Sequence, residues 1–354
     1  MTPARRAGIA CVAAIGGVGA LALLLAVFGY SPADGLLAFW RGSVGTSYAL
    51  WSATLVRAIP LSLAGLGVAL AIRGGRLNVG AEGQLLAGAT AGALVAQLLG
   101  AVEGGTATGG GMSAALTTPI VLIAGALAGA AWASVAAWLR ERFGVLEVIS
   151  TIMLNFIAVH LVGALVRGVL QEPTRVYPQS ATLAAAARLP VLVPTTRLHA
   201  GALLAITLAA LLWWTLRYTA LGFRVRVVGE SAAAAASAGG IDVARVAVMS
   251  FAVSGALAGL AGAVEYAGVT YALYENLSPG YGYTAIAVAL LARLNPLWVI
   301  ASGVLFGALQ AGGAAMQRDA GVPATLVQMI EAILIIAIVL VDRASRRRAA
   351  EAGT

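Results

Sequence analysis

Long apolar segments constrain this chain more than any other feature. Runs of about 18–25 apolar residues recur along its whole length, and each is long enough to cross a hydrocarbon core of roughly 30 Å. Hydrophobic residues make up 60% of the chain and charged residues only 10%, whereas soluble domains carry about 25% charged residues. The sequence therefore predicts an all-α polytopic membrane protein and argues against a soluble, alanine-rich helical protein.

Gly, Pro and charged residues divide the apolar sequence into ten predicted helices. They cover residues 7–29, 50–72, 80–100, 117–139, 147–166, 198–216, 243–265, 281–293, 297–316 and 323–341. The eighth is too short to cross a bilayer alone, so we expect a partial span or a helix shielded by its neighbours. We treat residues 1–354 as a single transmembrane domain with its core at 50–341.

All 22 basic residues are arginines, and they are unevenly divided between the two sides of the predicted membrane. Placing the N-terminus inside puts most of them, including those near both chain ends, on the cytoplasmic side. An excess of arginine in cytoplasmic loops is the usual topological signal of a membrane protein. We therefore predict that both termini are cytoplasmic, and the net charge of +8 requires no nucleic acid to explain it.

A short internal similarity favours an inverted 5+5 repeat. The sequence LNVG at 77–80 opens the third predicted helix from the inside, and LSPG at 277–280 opens the eighth from the outside. Because five spans separate them, equivalent elements run in opposite directions, as in inverted-topology repeats. Chance similarity in glycine-rich sequence is the alternative explanation for such short matches.

Several kinds of chemistry lack the residues they need. The chain contains no lysine, which excludes the phosphate-binding Gly-x-x-x-x-Gly-Lys-Ser/Thr loop, so any ATP that drives it must bind another polypeptide. His160 and His199 have no carboxylate at metal-ligand spacing, and Cys11 has no partner. Few ionisable residues lie deep in the spans, which weakens the hypothesis of an ion-coupled carrier. We expect no catalytic residue, metal site or cofactor on this chain.

Polar residues form a stripe on the fifth predicted helix. Glu147, Thr151 and Asn155 recur at i, i+4 and i+8, so they share one helix face. Such a stripe either makes interhelical hydrogen bonds, worth about 0.6–2 kcal/mol each in membranes, or lines a translocation path.

The predicted cytoplasmic loop 217–242 carries a run of small residues. Alanines at 232–236 favour a short helix, and Gly239 and Gly240 end it. The short helix would form a compact projection, or knob. This knob either has no partner or docks into a groove on a partner protein.

Four segments together resemble the integral-membrane permease subunits of bacterial ABC importers, in the branch that handles simple sugars, branched-chain amino acids and nucleosides. They are RLNVGAEGQLLAGA at 76–89, EVISTIMLNFIA at 147–158, GESAAAAASAGGIDVAR at 229–245 and NLSPGYGYTAIAVALLARLNP at 276–296. The resemblance extends over residues 50–340. LNVGAEGQ and EVISTIMLN are most similar to nucleoside-type permeases that work with a basic-membrane-lipoprotein receptor.

The resemblance implies a multi-pass permease subunit of an ATP-driven nucleoside importer in the bacterial inner membrane. Its implied partners are cytoplasmic ATPase subunits, an extracytoplasmic substrate-binding lipoprotein on the outer loop 167–197, a second permease that is identical or homologous, and membrane lipid. Ribose-like sugars and branched-chain amino acids are alternative substrates for the same architecture. An ATP-independent carrier or channel, and a membrane-embedded enzyme, are alternatives of another class.

The resemblance also assigns roles to residues. An ATPase-coupling loop is implied for Gly229, Glu230, Ala235, Ala236, Gly239 and Gly240, although the unbroken alanine run and one extra residue depart from the commoner pattern. The glycine-rich stretch 74–84 is expected to re-enter the membrane from the cytoplasmic face. We expect a translocation path bordered by Asn78, Glu82, Gln84, Glu147, Thr151 and Asn155. The counterpart stretch 277–284 is expected to border the other end of this path.

Overall fold

The computed structural model describes residues 18, 19, 21–103, 114–237, 240–329, 332, 333 and 336. The chain forms two compact units, one of Ala58–Gly303 and one of Met1–Arg57 with Val304–Thr354. The described residues are mainly helical. The helices with named bounds are α1 Pro32–Ser43, α2 Ser47–Arg73, α3 Ala81–Leu98, α4 Ala114–Phe143, α5 Glu147–Val166, α6 Gly201–Tyr218, α7 Ala220–Glu230, α8 Ala232–Ser237, α9 Val243–Thr270, α10 Tyr281–Leu291 and α11 Pro296–Asp319. Residues 21–27 and 324–329, which belong to the first and tenth predicted helices, are also helical.

Six helices among the described residues are long and apolar enough to cross a membrane, namely α2, α4, α5, α6, α9 and α11. The predicted third helix is α3. Glu82, Gln84 and Gln97 make it too polar to be counted among the six apolar helices. The predicted eighth helix is α10, which is only 11 residues long. Parts of the first and tenth predicted helices lie outside the described residues, namely 7–17, 20, 330, 331, 334, 335 and 337–341.

Polar caps fix where several helices begin. The Thr219 hydroxyl accepts a hydrogen bond from the Gly222 N–H at 3.1 Å at the start of α7. The Asp242 carboxylate accepts from the Arg245 N–H at 2.9 Å at the start of α9. Both side chains satisfy N–H groups that have no partner within the helix. These caps separate α7 and α9 from the helices before them.

Glycines hold α3, α4 and α9 together at the centre of the unit Ala58–Gly303. A Cβ at Gly88 of α3 would collide with the Gly259 backbone of α9, and one at Gly129 of α4 would collide with the Gly255 carbonyl. Small residues let helix backbones approach closely, which is how helices associate within membranes. Because α3 also packs against α5 and α10, it is enclosed by other helices, and this explains how a polar helix is accommodated.

The unit of Met1–Arg57 and Val304–Thr354 has its own apolar core. Gly42 of α1 lies directly against Ala315 of α11, where any larger residue would collide. The buried core residues are Leu21, Leu25, Ala38, Met316, Val322, Leu326 and Val327.

Segment 167–200 joins α5 to α6 at the end opposite to α7 and is ordered by backbone hydrogen bonds. The Ser180 N–H donates to the Leu273 carbonyl at 2.7 Å, and the Glu103 N–H donates to the Thr182 carbonyl at 2.8 Å. Within the segment, the Glu172 carboxylate accepts hydrogen bonds from the Thr174 hydroxyl, the Gln179 amide and the Tyr177 N–H. These bonds lower the pKa of Glu172 below its usual range.

His199 is buried at the base of this segment, just before α6. Its Nδ1 atom accepts a hydrogen bond from the Gly201 N–H at 3.2 Å. A Cβ at Gly201 or Gly268 would meet the imidazole ring at 2.7 or 2.5 Å, so the two glycines make room for it. Burial, and secondarily the positive charge of Arg197, lower the pKa of His199 to about 4. The folded protein therefore holds a neutral imidazole here.

We expect the protein to lose about 2–3 kcal/mol of stability as the pH falls from about 6.5 to about 4. In that window the unfolded chain binds a proton at residue 199 and the folded chain does not, so stability rises with pH. Thermal melts of the purified protein across this range measure the effect. His199→Asn should flatten the profile. Equal slopes in the wild type and in His199→Asn would disprove this assignment.

Candidate functional site

The N-terminal ends of α3 and α10 meet inside the unit Ala58–Gly303. Gly282 lies against the backbone of Ala81 and Glu82, where a Cβ would collide. The Glu82 Oε2 atom accepts a hydrogen bond from the Gly282 N–H at 2.7 Å. The first N–H groups of a helix lack partners within it and carry partial positive charge. Glu82, itself in the first turn of α3, thus stabilises the N-termini of two helices.

Asn78 and Gln84 pair their side-chain amides at the start of α3. Asn78 Nδ2 donates to Gln84 Oε1 at 2.8 Å, and Gln84 Nε2 donates to Asn78 Oδ1 at 3.0 Å. Asn78 also accepts from the Gly80 N–H at 2.9 Å and donates to the Ser254 hydroxyl of α9 at 2.9 Å. The side chains are buried, so the pair caps α3 and ties it to α9.

Asn155, on the polar stripe of α5, faces the same helix start. Its Oδ1 accepts a hydrogen bond from the Gly83 N–H at 2.8 Å. Its Nδ2 donates to the Val79 carbonyl at 3.0 Å and to the Tyr283 hydroxyl at 3.3 Å. One buried amide therefore contacts the first turn of α3, the connection before it and the first turn of α10.

Thr151 and Glu147 continue the stripe in the N-terminal direction. The Thr151 hydroxyl donates to the Glu147 carbonyl at 2.7 Å, and its side chain packs against Gly80. The Glu147 carboxylate pairs with Arg140 of α4. The structure brings together, around the start of α3, the predicted site residues Asn78, Glu82, Gln84, Thr151 and Asn155. Glu147 is buried near them, but its carboxylate is held by Arg140.

Two further residues of this cluster, Gly282 and Tyr283, lie in the stretch 277–284, which the internal similarity predicts to be the counterpart of 74–84. Ser254 is not predicted from the sequence. Ser254 has no comparable signal, because small residues occur along the whole of α9.

The predicted coupling residues lie in and around α7 and α8. A Cβ at Gly229 would collide with the Arg73 carbonyl, so the end of α7 abuts the end of α2. Ala235 is buried in an apolar cluster, whereas Glu230 and Ala236 are exposed. Gly240 has φ +64°, a conformation that glycine adopts most readily. Gly239 lies outside the described residues.

A cleft of about 690 Å³ opens between α7, α8 and the start of α9. Leu221 and Phe223 line it and are half exposed. Arg224, Arg245 and Asp242 supply charge at the same cleft. The mixture of exposed apolar and charged side chains is suited to receiving a segment of another protein.

Comparison with known proteins identifies a family and several relatives that this chain is similar to. Residues 50–339 match the family described as branched-chain amino acid transport system / permease component. A guanosine ABC transporter permease protein of Bacillus subtilis is 38% identical, covering 92% of this chain and 90% of that protein. A glucose ABC transporter permease protein of Haloferax volcanii is 36% identical, covering 95% and 86%. A nucleoside ABC transporter permease protein of Lactococcus lactis is 29% identical, covering 94% and 92%. No solved structure gives a significant match.

Proposed function

This chain belongs to the family of branched-chain amino acid transport system permease components, and we propose that it is the membrane-spanning permease subunit of an ATP-driven nucleoside importer. The observation that carries the proposal is its 38% identity, over 92% of the chain, to a guanosine permease. A nucleoside permease that aligns over 94% of the chain supports the same substrate class.

A sugar is the second candidate substrate, because the glucose permease of Haloferax volcanii is 36% identical. Uptake of radiolabelled guanosine, glucose and leucine would separate the candidates in cells that express this chain with its ATPase subunit and receptor. We expect guanosine uptake that disappears when the ATPase is inactivated by mutation. Glucose uptake alone would replace the nucleoside proposal, and uptake that persists without ATP hydrolysis would contradict the ABC importer itself.

We further propose that α7, α8 and the loop 217–242 form the element through which the ATPase subunit acts. The exposed face of α8 and the cleft beside it offer a surface for a partner. The contact between Gly229 and the end of α2 would pass movement of this element to a membrane helix. ATP would bind to the separate subunit, so this chain would need no cofactor of its own.

Ala236→Arg is expected to slow ATP-dependent uptake at least about tenfold while leaving the protein folded. Residue 236 is exposed on α8, so a long charged side chain would obstruct a docked subunit without disturbing the core. Uptake, co-purification of the ATPase and the melting temperature would be measured together. Ala236→Ser is the matched control, since a small side chain at the same exposed position would not obstruct a docked subunit. Normal uptake in Ala236→Arg would contradict the assignment.

We propose that the polar cluster at the start of α3 borders the translocation path. The meeting of Glu82 and Gly282, which lie 200 positions apart, supports the inverted repeat, because LNVG and LSPG lie at the same separation. To test the path, Asn155→Cys would be made in a chain whose single cysteine, Cys11, is replaced by serine. A small thiol reagent should label residue 155 during ATP turnover, with protection by substrate. No labelling under any condition would disprove this role.

The same cysteine-free chain tests the remaining topology. We propose cytoplasmic termini, a receptor-docking surface at 167–197, and pairing with a second permease within a domain of residues 1–354. Cysteines at Val176 and Ser237 should react with a membrane-impermeant reagent from opposite sides. Labelling from one side only would reject the ten-span arrangement.

A further inference from the structure

A second cleft, of about 530 Å³, lies where three helices of the unit Ala58–Gly303 begin or end. The last residue of α2, the last turn of α6 and the first residue of α11 all contribute to it. The residues that line it are Arg73, Trp213, Leu216, Arg217, Tyr218, Arg226, Asn295 and Pro296. The cleft is separate from the polar cluster at the start of α3 and from the cleft between α7, α8 and α9.

The charge of this cleft is unbalanced. Of the described residues that line it, three are arginines and none carries a carboxylate. Among the described residues, no ion pair involves Arg73, Arg217 or Arg226, although four other arginines pair with glutamates. Arg73 and Arg226 lie close enough to repel each other, and Arg73 is held by a 2.7 Å hydrogen bond from its Nε to the Leu294 carbonyl. Positive charges gathered in this way attract an anion from outside the chain.

Aromatic side chains place the cleft at the level of a membrane–water boundary. The rings of Trp213 and Tyr218 meet edge to face with centroids 5.7 Å apart, and the Arg217 guanidinium lies 5.7 Å from the Tyr218 ring centroid. Tryptophan and tyrosine concentrate at the headgroup level of bilayers. Beside the cleft, Trp214 is 52% exposed on α6 and Trp298 is 65% exposed on α11. Apolar surface for acyl chains thus adjoins the charged surface.

We propose that this cleft binds the phosphate of an anionic phospholipid headgroup in the leaflet next to α7. Arg217 and Arg226 contact the phosphate, and Arg73 adds a third positive charge to the cleft. The acyl chains lie along the exposed faces of α6 and α11. A bound lipid at this position braces the end of α2, which Gly229 of α7 contacts directly. The site requires an anionic headgroup and discriminates against zwitterionic lipid of the same chain length.

Native mass spectrometry of the full chain in detergent, titrated with dioleoyl phosphatidylglycerol or dioleoyl phosphatidylcholine, tests the proposal. The first phosphatidylglycerol should bind at least about tenfold more tightly than phosphatidylcholine. The double variant Arg217→Gln/Arg226→Gln should bind phosphatidylglycerol about 30-fold more weakly, because each arginine near an anionic lipid contributes about a factor of five. Arg73 is left in place, since its bond to Leu294 makes it part of the fold.

The matched control is Arg224→Gln/Arg245→Gln, which removes two charges from the neighbouring cleft and should bind phosphatidylglycerol like the wild type. Equal weakening in the control, or full affinity in the test variant, would overturn the proposal. Displacement of the lipid by millimolar inorganic phosphate would assign the cleft to free phosphate instead. Unchanged lipid affinity with loss of ATPase co-purification would make it a protein contact. If the double variant does not fold, Arg217→Gln alone should show a loss of about fivefold.

Discussion

Gly88→Ala should deprive the protein of its native helix packing, so that little folded material is recovered from membranes. A Cβ at residue 88 would lie far inside van der Waals contact of the Gly259 carbonyl oxygen. A helix backbone cannot move aside as the end of a side chain can, so α3 and α9 would have to separate. Overpacking a core usually costs about 1–3 kcal/mol. We expect a larger loss here because α9 also packs on α4 through Gly255 and Gly259.

Gly92→Ala is the matched control for this prediction. Gly92 lies one turn further along α3, but its nearest neighbour is a side-chain methyl group of Val121 at 3.2 Å, which can shift by a few tenths of an ångström. Both substitutions remove a helical glycine, so their effects on the unfolded chain are equal. Size-exclusion chromatography and thermal melts would compare them. Similar stability of the two variants would show that the α3–α9 contact is looser than described.

The length of apolar runs predicts most of the helices, because a bilayer requires both the length and the apolar character. The prediction for 147–166 matches α5 in both bounds. α4 extends to Phe143, beyond the predicted 139, because Arg140 and Arg142 continue a helix after its apolar part ends. α7 is not predicted at all, since its sequence FRVRVV alternates basic and apolar residues and contains no apolar run. Local caps, rather than hydrophobicity, define that helix.

The candidate site is only partly accessible to sequence reasoning, because spacing shows which residues share a face but not what covers that face. The i, i+4 pattern correctly groups Thr151 with Asn155, and both face α3. It also groups Glu147 with them, yet Arg140 from α4 pairs with that carboxylate. The contact of Asn78 with Ser254 joins residues 176 positions apart, and only the packed structure brings them together.

Glu82→Leu should destabilise the protein by roughly 1–3 kcal/mol and abolish uptake. The substitution leaves the buried Gly282 N–H without an acceptor, and an unsatisfied buried donor costs about 1–3 kcal/mol. Thermal melts and guanosine uptake on the same preparations would measure both effects.

Glu82→Gln keeps a hydrogen-bond acceptor at this position. The glutamine amide oxygen can still accept from the Gly282 N–H, so we expect a loss of no more than about 1 kcal/mol. Glu141→Gln is the surface control, because Glu141 is partly exposed and pairs with Arg76; exposed pairs contribute about 0–1 kcal/mol. If Gln destabilises as much as Leu, the carboxyl group itself, and not an acceptor for the Gly282 N–H alone, holds α3 and α10 together. If neither variant is destabilised, the two helix starts are joined by the close approach of Gly282 alone, and the cluster around Asn78 must fix the start of α3 without Glu82.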